Sequence, residues 1–369
     1  MRRQFVVASA LMVFFCLLGL LLGRIHPAPW GDGLFYFEMA NAPFKYVGSP
    51  YGYRIGVPYS AALLSSVFGV DLVASFAAVR LVAFASFMTV LCLWMLNGLQ
   101  LRRLIVGLAA ALFLFSPGAT YNLYNMWVIG FAELLFVLVG VIAIYHCRFG
   151  ILMWVVAVSA LFKESVGLVL IPSYLFSEAA SRQWGTLVRN TLLLLLAFAS
   201  VFLLLRSGVI FYGNCGLDSY ASFYSAGYLR EVYNSWGGLL GAGRLILLAF
   251  GPVWLLAVWG VRRAPSRFRP LAVLPVLAVF QILLATDVER MLAVGSPVLV
   301  VFCAFALSAV PNVRAVLISA ACCLYGAVHF VLPAMSIVAF LASSVVVLVA
   351  LMAGRRCRPS WSKGGSAAI

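Results

Sequence analysis

The run Arg2-Arg3-Gln4-Phe5-Val6-Val7-Ala8-Ser9-Ala10-Leu11-Met12-Val13-Phe14-Phe15-Cys16-Leu17-Leu18-Gly19-Leu20-Leu21-Leu22-Gly23 decides the fold class. Past Gln4 it is apolar or small without interruption. At about 1.5 Å of rise per residue, such a helix reaches across the roughly 30 Å hydrocarbon core of a bilayer. It begins like the charged and hydrophobic regions of a secretory signal. With no small-x-small cleavage pattern, it reads as a retained first membrane helix. Gly19 and Gly23 stand in GxxxG spacing, which suits close helix packing.

Working outward, runs of the same kind recur along the 369 residues. Spans are expected near 4–23, 72–96, 104–121, 127–146, 149–162, 165–180, 190–206, 244–261, 270–286, 290–310, 314–332 and 335–353. The pair at 149–180 is short-armed and meets at Lys163-Glu164, so one long broken helix is the other reading. A mean hydropathy of +1.09 with 9% charged residues is not that of a soluble protein. The expected fold is therefore all-α and integral to the membrane, with about twelve transmembrane helices and juxtamembrane helices in a long first outer loop. Residues 1–353 read as one transmembrane domain with outer loops at 24–71 and 207–243. Residues 354–369 read as a disordered cytoplasmic tail.

The net charge of +15 would suggest nucleic acid in a soluble chain. No basic run interleaved with aromatics stands outside the apolar segments, so nucleic acid is not an expected partner. Membrane topology accounts for the charge. With the N-terminus cytoplasmic, sixteen of the twenty-five Lys and Arg fall on the cytoplasmic side, as the positive-inside rule requires. Both termini are then cytoplasmic. Asp32, Glu38, Asp71, Asp218, Glu231, Asp287 and Glu289 fall outside, and Glu133 and Glu164 lie toward the outer ends of their helices. Acids contribute little to topology, so their gathering on one face points to a site there. The eight cysteines mostly lie in apolar runs without a CxxC pair, and there are only three histidines, so no His/Cys metal site is expected.

Four outer clusters can carry chemistry: Asp32 with Glu38, the stretch Tyr51-Gly52-Tyr53-Arg54 leading to Pro58, Lys163-Glu164-Ser165, and Asp287-Val288-Glu289-Arg290. Each has a bland reading. Asp32 is placed to N-cap a helix over 33–41, although no Glu or Gln follows three residues on to complete a capping box. Arg54 has the length to snorkel to headgroups. Asp287, Glu289 and Arg290 make an interfacial ion pair of small worth on the same evidence. A charge at the bilayer centre costs roughly 2.5–3.5 kcal/mol on insertion scales, so Lys163 and Glu164 belong at the interface or in a site. Arg80, inside the second span, has to face protein or water. Adjacent helix positions point in different directions, so Lys163 and Glu164 are not expected to pair with each other.

On these residues the chain resembles the GT-C class of membrane glycosyltransferases. The resemblance is carried by Asp32-Gly33-Leu34-Phe35-Tyr36-Phe37-Glu38-Met39-Ala40 and by Tyr53-Arg54 before Pro58. Leu161-Phe162-Lys163-Glu164-Ser165 before Pro172, and Asp287-Val288-Glu289-Arg290-Met291-Leu292 before Pro297, complete it. It covers about residues 1–310, and the order of the motifs is more specific than any one of them. The class moves a sugar from a polyprenyl-phosphate or -diphosphate carrier on the non-cytoplasmic face. The resemblance implies a bacterial inner-membrane enzyme with a periplasmic site, membrane lipid as surroundings, and a glycan, lipid or protein as acceptor.

It also implies roles. Asp32 would be the base of an inverting transfer. Arg54, Lys163 and Arg290 would bind the donor phosphate. Tyr36, Glu38, Glu164, Asp287 and Glu289 would support them, Glu289 or Asp287 by orienting Arg290 and Glu164 by holding Lys163 or a sugar. The sequence leaves the cofactor open. Asp32, Glu38 and Asp287 carry the oxygen ligands that Mg²⁺ or Mn²⁺ prefer, but their spacing does not establish a metal site. The alternative reading is a transporter or flippase for a lipid-linked saccharide or solute, which would place charges at the midplane and show internal repeats. A third is an inactive member serving in assembly.

Overall fold

The computed structural model describes residues 2–23, 29, 31–43, 51, 54–125, 127, 129–179, 183–213, 226–281 and 288–353, with backbone alone at 2–5, 117, 206, 208–213, 226 and 288–289. The expected tail at 354–369, Tyr53 and Asp287 lie outside these residues, as does the side chain of Glu289. Among the described residues the architecture is all-α. Helix α1 spans Arg2–Leu22, α2 Gly33–Asn41, α3 Gly56–Phe68, α4 Leu72–Leu93, α5 Arg103–Leu114 and α6 Pro117–Tyr124. Then come α7 at Gly130–Tyr145, α8 at Phe149–Ser159, α9 at Ser165–Ala179, α10 at Trp184–Gly213, α11 at Ala226–Ser235 and α12 at Gly238–Phe250. The last six are α13 at Val253–Arg263, α14 at Val273–Gln281, α15 at Val288–Ala293, α16 at Ser296–Ser308, α17 at Asn312–Val331 and α18 at Ser336–Met352.

Four of these stretches are long and apolar enough to cross a membrane: 72–98, 184–205, 312–331 and 333–352. The count is six if two bent pairs each form one span. Two expected spans are broken in this way. The run 104–121 bends by 64° between α5 and α6, and 244–261 bends by 71° between α12 and α13. Ser116 and Pro117 cause the first break. The Ser116 hydroxyl accepts from Ala119 N at 3.4 Å as an N-cap, and Pro117 takes the first helical turn. Gly251, at φ +53°, and Pro252 make the second. Most of the other expected spans correspond to apolar helices of 10–17 residues. The 149–180 region is two helices, α8 and α9, joined by a turn that carries Lys163 and Glu164.

Helix α16 is the centre of the molecule, with every side chain from Ser296 to Leu307 buried. A helix apolar on all faces can be surrounded by other helices without burying an unpaired polar group. It lies against α13 and α5, while α1 and α7 flank α4. Arg80, on α4, is buried as expected for a charge that must face protein. Its Nη1 donates to Leu123 O at 2.8 Å, in the last turn of α6, where a cation suits the negative end of the helix dipole.

The described part of the segment between α1 and α4 folds onto this bundle. Helices α2 and α3 pack on each other, and α3 on α4, around a second apolar cluster that includes Tyr36, Val57, Phe76, Trp127 and Ile129. Two glycines permit the fit. Gly31 has φ +56°, a left-handed turn that sets Asp32 at the head of α2. Gly56 donates its N–H to Leu161 O at 2.8 Å, and a Cβ there would come within 2.5 Å of the Phe162 ring. The start of α3 is thereby held against the chain just before Lys163.

Candidate functional site

Asp32 stands at the N-terminus of α2, yet it does not cap the helix. Its backbone is already helical (φ −56°, ψ −26°), and its side chain accepts no bond from the helix. Asp71 shows what a capping aspartate does here. Its backbone is extended and its carboxylate accepts from Val73 N at 3.0 Å and Ala74 N at 3.3 Å. The Asp32 carboxylate turns elsewhere. Tyr51 OH donates to its Oδ1 at 3.0 Å, and Arg290 Nη1 donates to its Oδ2 at 2.8 Å. Burial by itself would raise the Asp32 carboxyl. The Arg290 charge and hydrogen bond, with help from Tyr51 and Arg54, outweigh it and hold the group below the ordinary carboxylate value of 3.8. Burial and the Asp32 charge push the Tyr51 phenol up, so it stays a donor.

Arg54 enters from the residues just before α3. Its Nε and Nη2 donate to the two oxygens of Glu164 at 3.1 and 2.5 Å, a fork-to-carboxylate pair, and its Nη1 donates to Tyr36 OH at 3.4 Å. Lys163 turns to α7, where its Nζ donates to Glu133 Oε2 at 2.7 Å. The Ser165 hydroxyl donates to the other Glu133 oxygen. Both members of this ion pair are almost wholly buried, at 4% and 2% side-chain exposure. As adjacent residues, Lys163 and Glu164 indeed take different partners.

Tyr36, Arg54, Ile129, Gly130, Glu133, Lys163 and Arg290 line one small, partly open cavity. Asp32 sits beside it through Arg290. Between α10 and α12, Tyr228 on α11 lies within electrostatic range of Asp32, Arg290 and Arg54. Phe35 stacks on Tyr51 at 4.5 Å between ring centroids, flanking the carboxylate with an aromatic surface.

The structure thus brings together Asp32, Tyr36, Arg54, Lys163, Glu164 and Arg290 of the residues expected from sequence. It does not bring in Glu38, which is exposed on α2. One expected partnership is replaced: Glu164 holds Arg54 in place of Lys163, because the packing aims its carboxylate at Arg54 and not at its sequence neighbour. Asp32 holds Arg290, and Asp287 and the side chain of Glu289, expected to orient that arginine, lie outside the described residues. Tyr51 and Ser165, which stood in the outer clusters without an assigned role, join the site, and so does Glu133. Glu133 carried a signal, being an acid at the outer end of an apolar helix. Tyr51 carried one in its place three residues before Arg54. Among the described residues no group of three or more His, Cys, Asp or Glu is arranged to hold a metal ion.

What the arrangement offers chemically is three cations that share a small cavity, each paired with a carboxylate, of which Asp32 is the most exposed. A phosphate fits such a setting, because guanidinium forks and an ammonium can surround its oxygens. No protein-family model matches the sequence, and no curated protein matches it. Among solved structures, the crystal structure of ArnT from Cupriavidus metallidurans bound to undecaprenyl phosphate is similar to this chain, with a TM-score of 0.53. The match covers 95% of this chain and 75% of that one, at 14% sequence identity. At that identity the likeness is one of fold, and the chain has an ArnT-like, all-helical membrane architecture.

Proposed function

We propose that the chain is an inverting membrane glycosyltransferase, moving a sugar from a polyprenyl-phosphate-type carrier to an acceptor hydroxyl on the non-cytoplasmic face. The observation that carries this reading is the convergence of Arg54, Lys163 and Arg290 on one cavity from three separate parts of the chain, with Asp32 bonded to Arg290 beside it. The ArnT-like fold supports it, since that neighbour was solved with undecaprenyl phosphate bound.

In the reaction, Asp32 takes the acceptor O–H proton as the acceptor oxygen bonds to the anomeric carbon. The bond from that carbon to the phosphate oxygen breaks, and its electron pair leaves with the lipid phosphate. Arg54, Lys163 and Arg290 face the charge that grows on those oxygens, where fixed donors in a site of low dielectric act most strongly. Tyr36 and Glu164 hold the Arg54 fork, and Glu133 holds Lys163.

The test is transfer from a panel of polyprenyl-phosphate sugars by purified protein in lipid nanodiscs. Asp32→Asn should lose activity by about 10²–10⁴-fold, the usual contribution of a general base. Wild-type transfer by that variant would overturn the assignment of the base.

A further inference from the structure

Every cation proposed to meet the donor phosphate already has a carboxylate partner, so an arriving phosphate has to compete for it. The three pairs are not equally easy to open. Lys163–Glu133 has side-chain exposures of 4% and 2%, and Arg54–Glu164 has 7% and 17% with two hydrogen bonds. Arg290–Asp32 is the most exposed, at 13% and 23%, and a single Nη1–Oδ2 contact holds it. Exposed single-contact pairs are the weakest kind, and buried pairs are costly to break. Opening this pair also leaves neither member stranded. Arg290 lines the cavity where the phosphate would sit, and Asp32 keeps Tyr51 as a donor on its other oxygen.

We infer that Arg290 is a latch on the base: it occupies Asp32 in the empty enzyme and passes to the donor phosphate on binding, which frees Asp32 for the acceptor hydroxyl. This rests on the glycosyltransferase reading and adds an order to it. Donor binding precedes and enables proton removal, so a sugar acceptor entering first meets a carboxylate whose oxygens are both engaged. The coupling guards the site against idle chemistry with water or acceptor alone. Arg54 and Lys163 stay with Glu164 and Glu133 and add charge without changing partner.

Affinity for the lipid phosphate reads the latch directly. Full-length protein in nanodiscs would be titrated with decaprenyl phosphate, with the uncharged decaprenol as control, using wild type, Asp32→Asn, Arg290→Gln and the double variant. If phosphate must displace Asp32 from Arg290, Asp32→Asn binds more tightly than wild type by about fivefold to tenfold. That gain disappears in the Arg290→Gln background. A gain of the same size with Arg290→Gln present would mean that Asp32 merely repels the anion at a distance, and the latch is then wrong. No gain at all in Asp32→Asn also overturns it. Asp32→Ser, which keeps an acceptor for Tyr51 without the charge, repeats the test should the asparagine variant fail to fold. Glu164→Gln should give a smaller gain than Asp32→Asn, and an equal or larger one would move the role to Arg54. If wild type and every variant bind decaprenyl phosphate no better than decaprenol, the donor reading itself fails, and the latch with it. That outcome is distinct from a normal phosphate affinity that Asp32 leaves untouched.

Discussion

Arg290 places its Nη1 2.8 Å from Oδ2 of Asp32, joining positions 258 residues apart in the chain. The contact links the head of α2, between the first and fourth helices, to the short helix α15 near the end of the bundle. It is the tie by which α2 and α15 share one site, and it fixes the protonation state of the carboxylate. Two donors, Arg290 and Tyr51, stabilise the ionised form more than burial disfavours it.

A pH prediction comes directly from that balance. The folded-state Asp32 titrates below its ordinary value of 3.8, so it remains ionised through the neutral and mildly acidic range. The acid limb of kcat/KM for transfer should therefore lie below that ordinary value, reached only where the fold itself is stressed. Arg290→Gln removes the largest lowering contact, leaves the burial, and should move the limb upward. The sign for stability is the same. A depressed carboxylate stabilises the folded state above its unfolded pKa, and this is lost as pH falls through the lower folded pKa. Thermal unfolding followed from neutral to acid pH should show that loss in wild type and a shallower slope in Asp32→Asn. An acid limb that Arg290→Gln leaves in place would show that another group controls it.

Asp32 and Asp71 each precede a helix, α2 and α4, and should respond to mutation in opposite ways. Asp71 makes two bonds to the first turn of α4, whereas Asp32 makes none to α2. Asp71→Ala should cost about 1 kcal/mol of stability, the usual worth of an N-cap, and leave transfer unchanged. Asp32→Asn should abolish transfer with little effect on the helicity of α2. Unfolding midpoints and transfer rates measured on both variants check the pair. A stability loss for Asp32→Asn without loss of transfer would make it a structural residue after all.

Much of the helical layout was legible because the signal is simple. The runs at 72–96, 314–332 and 335–353 appear as helices Leu72–Gly98, Asn312–Val331 and Pro333–Met352, since long apolar stretches need no tertiary information to be recognised. The two breaks were legible too, in Ser116-Pro117 and Gly251-Pro252, but average apolarity across each run masks that punctuation. The site divides along the same line. Which residues take part shows in the sequence, because a charge between apolar runs in a chain with 9% charged residues is conspicuous. Which cation meets which carboxylate does not show. Lys163 has Glu164 beside it and takes Glu133, 30 positions away, because α7 and α9 pack together and the side chain of the next residue points elsewhere. Tyr51 was conspicuous only as a neighbour of Arg54, and its bond to Asp32 depends on how α2 and α3 fold back on each other.

The Lys163–Glu133 pair gives the sharpest test of that tertiary wiring. Both side chains are almost completely buried, so removing one charge strands the other where water cannot reach it. Glu133→Gln should therefore destabilise the protein by about 3–5 kcal/mol, although glutamine keeps the shape and an acceptor for Ser165. Glu133→Gln with Lys163→Met should recover most of the loss, because deleting both charges removes the desolvation cost along with the attraction. Thermal unfolding of the purified variants in detergent measures both. If the single and double variants are equally unstable, the loss comes from packing between α7 and α9. If Glu133→Gln unfolds at the wild-type temperature, Lys163 has another counter-charge and Glu133 is not what holds it.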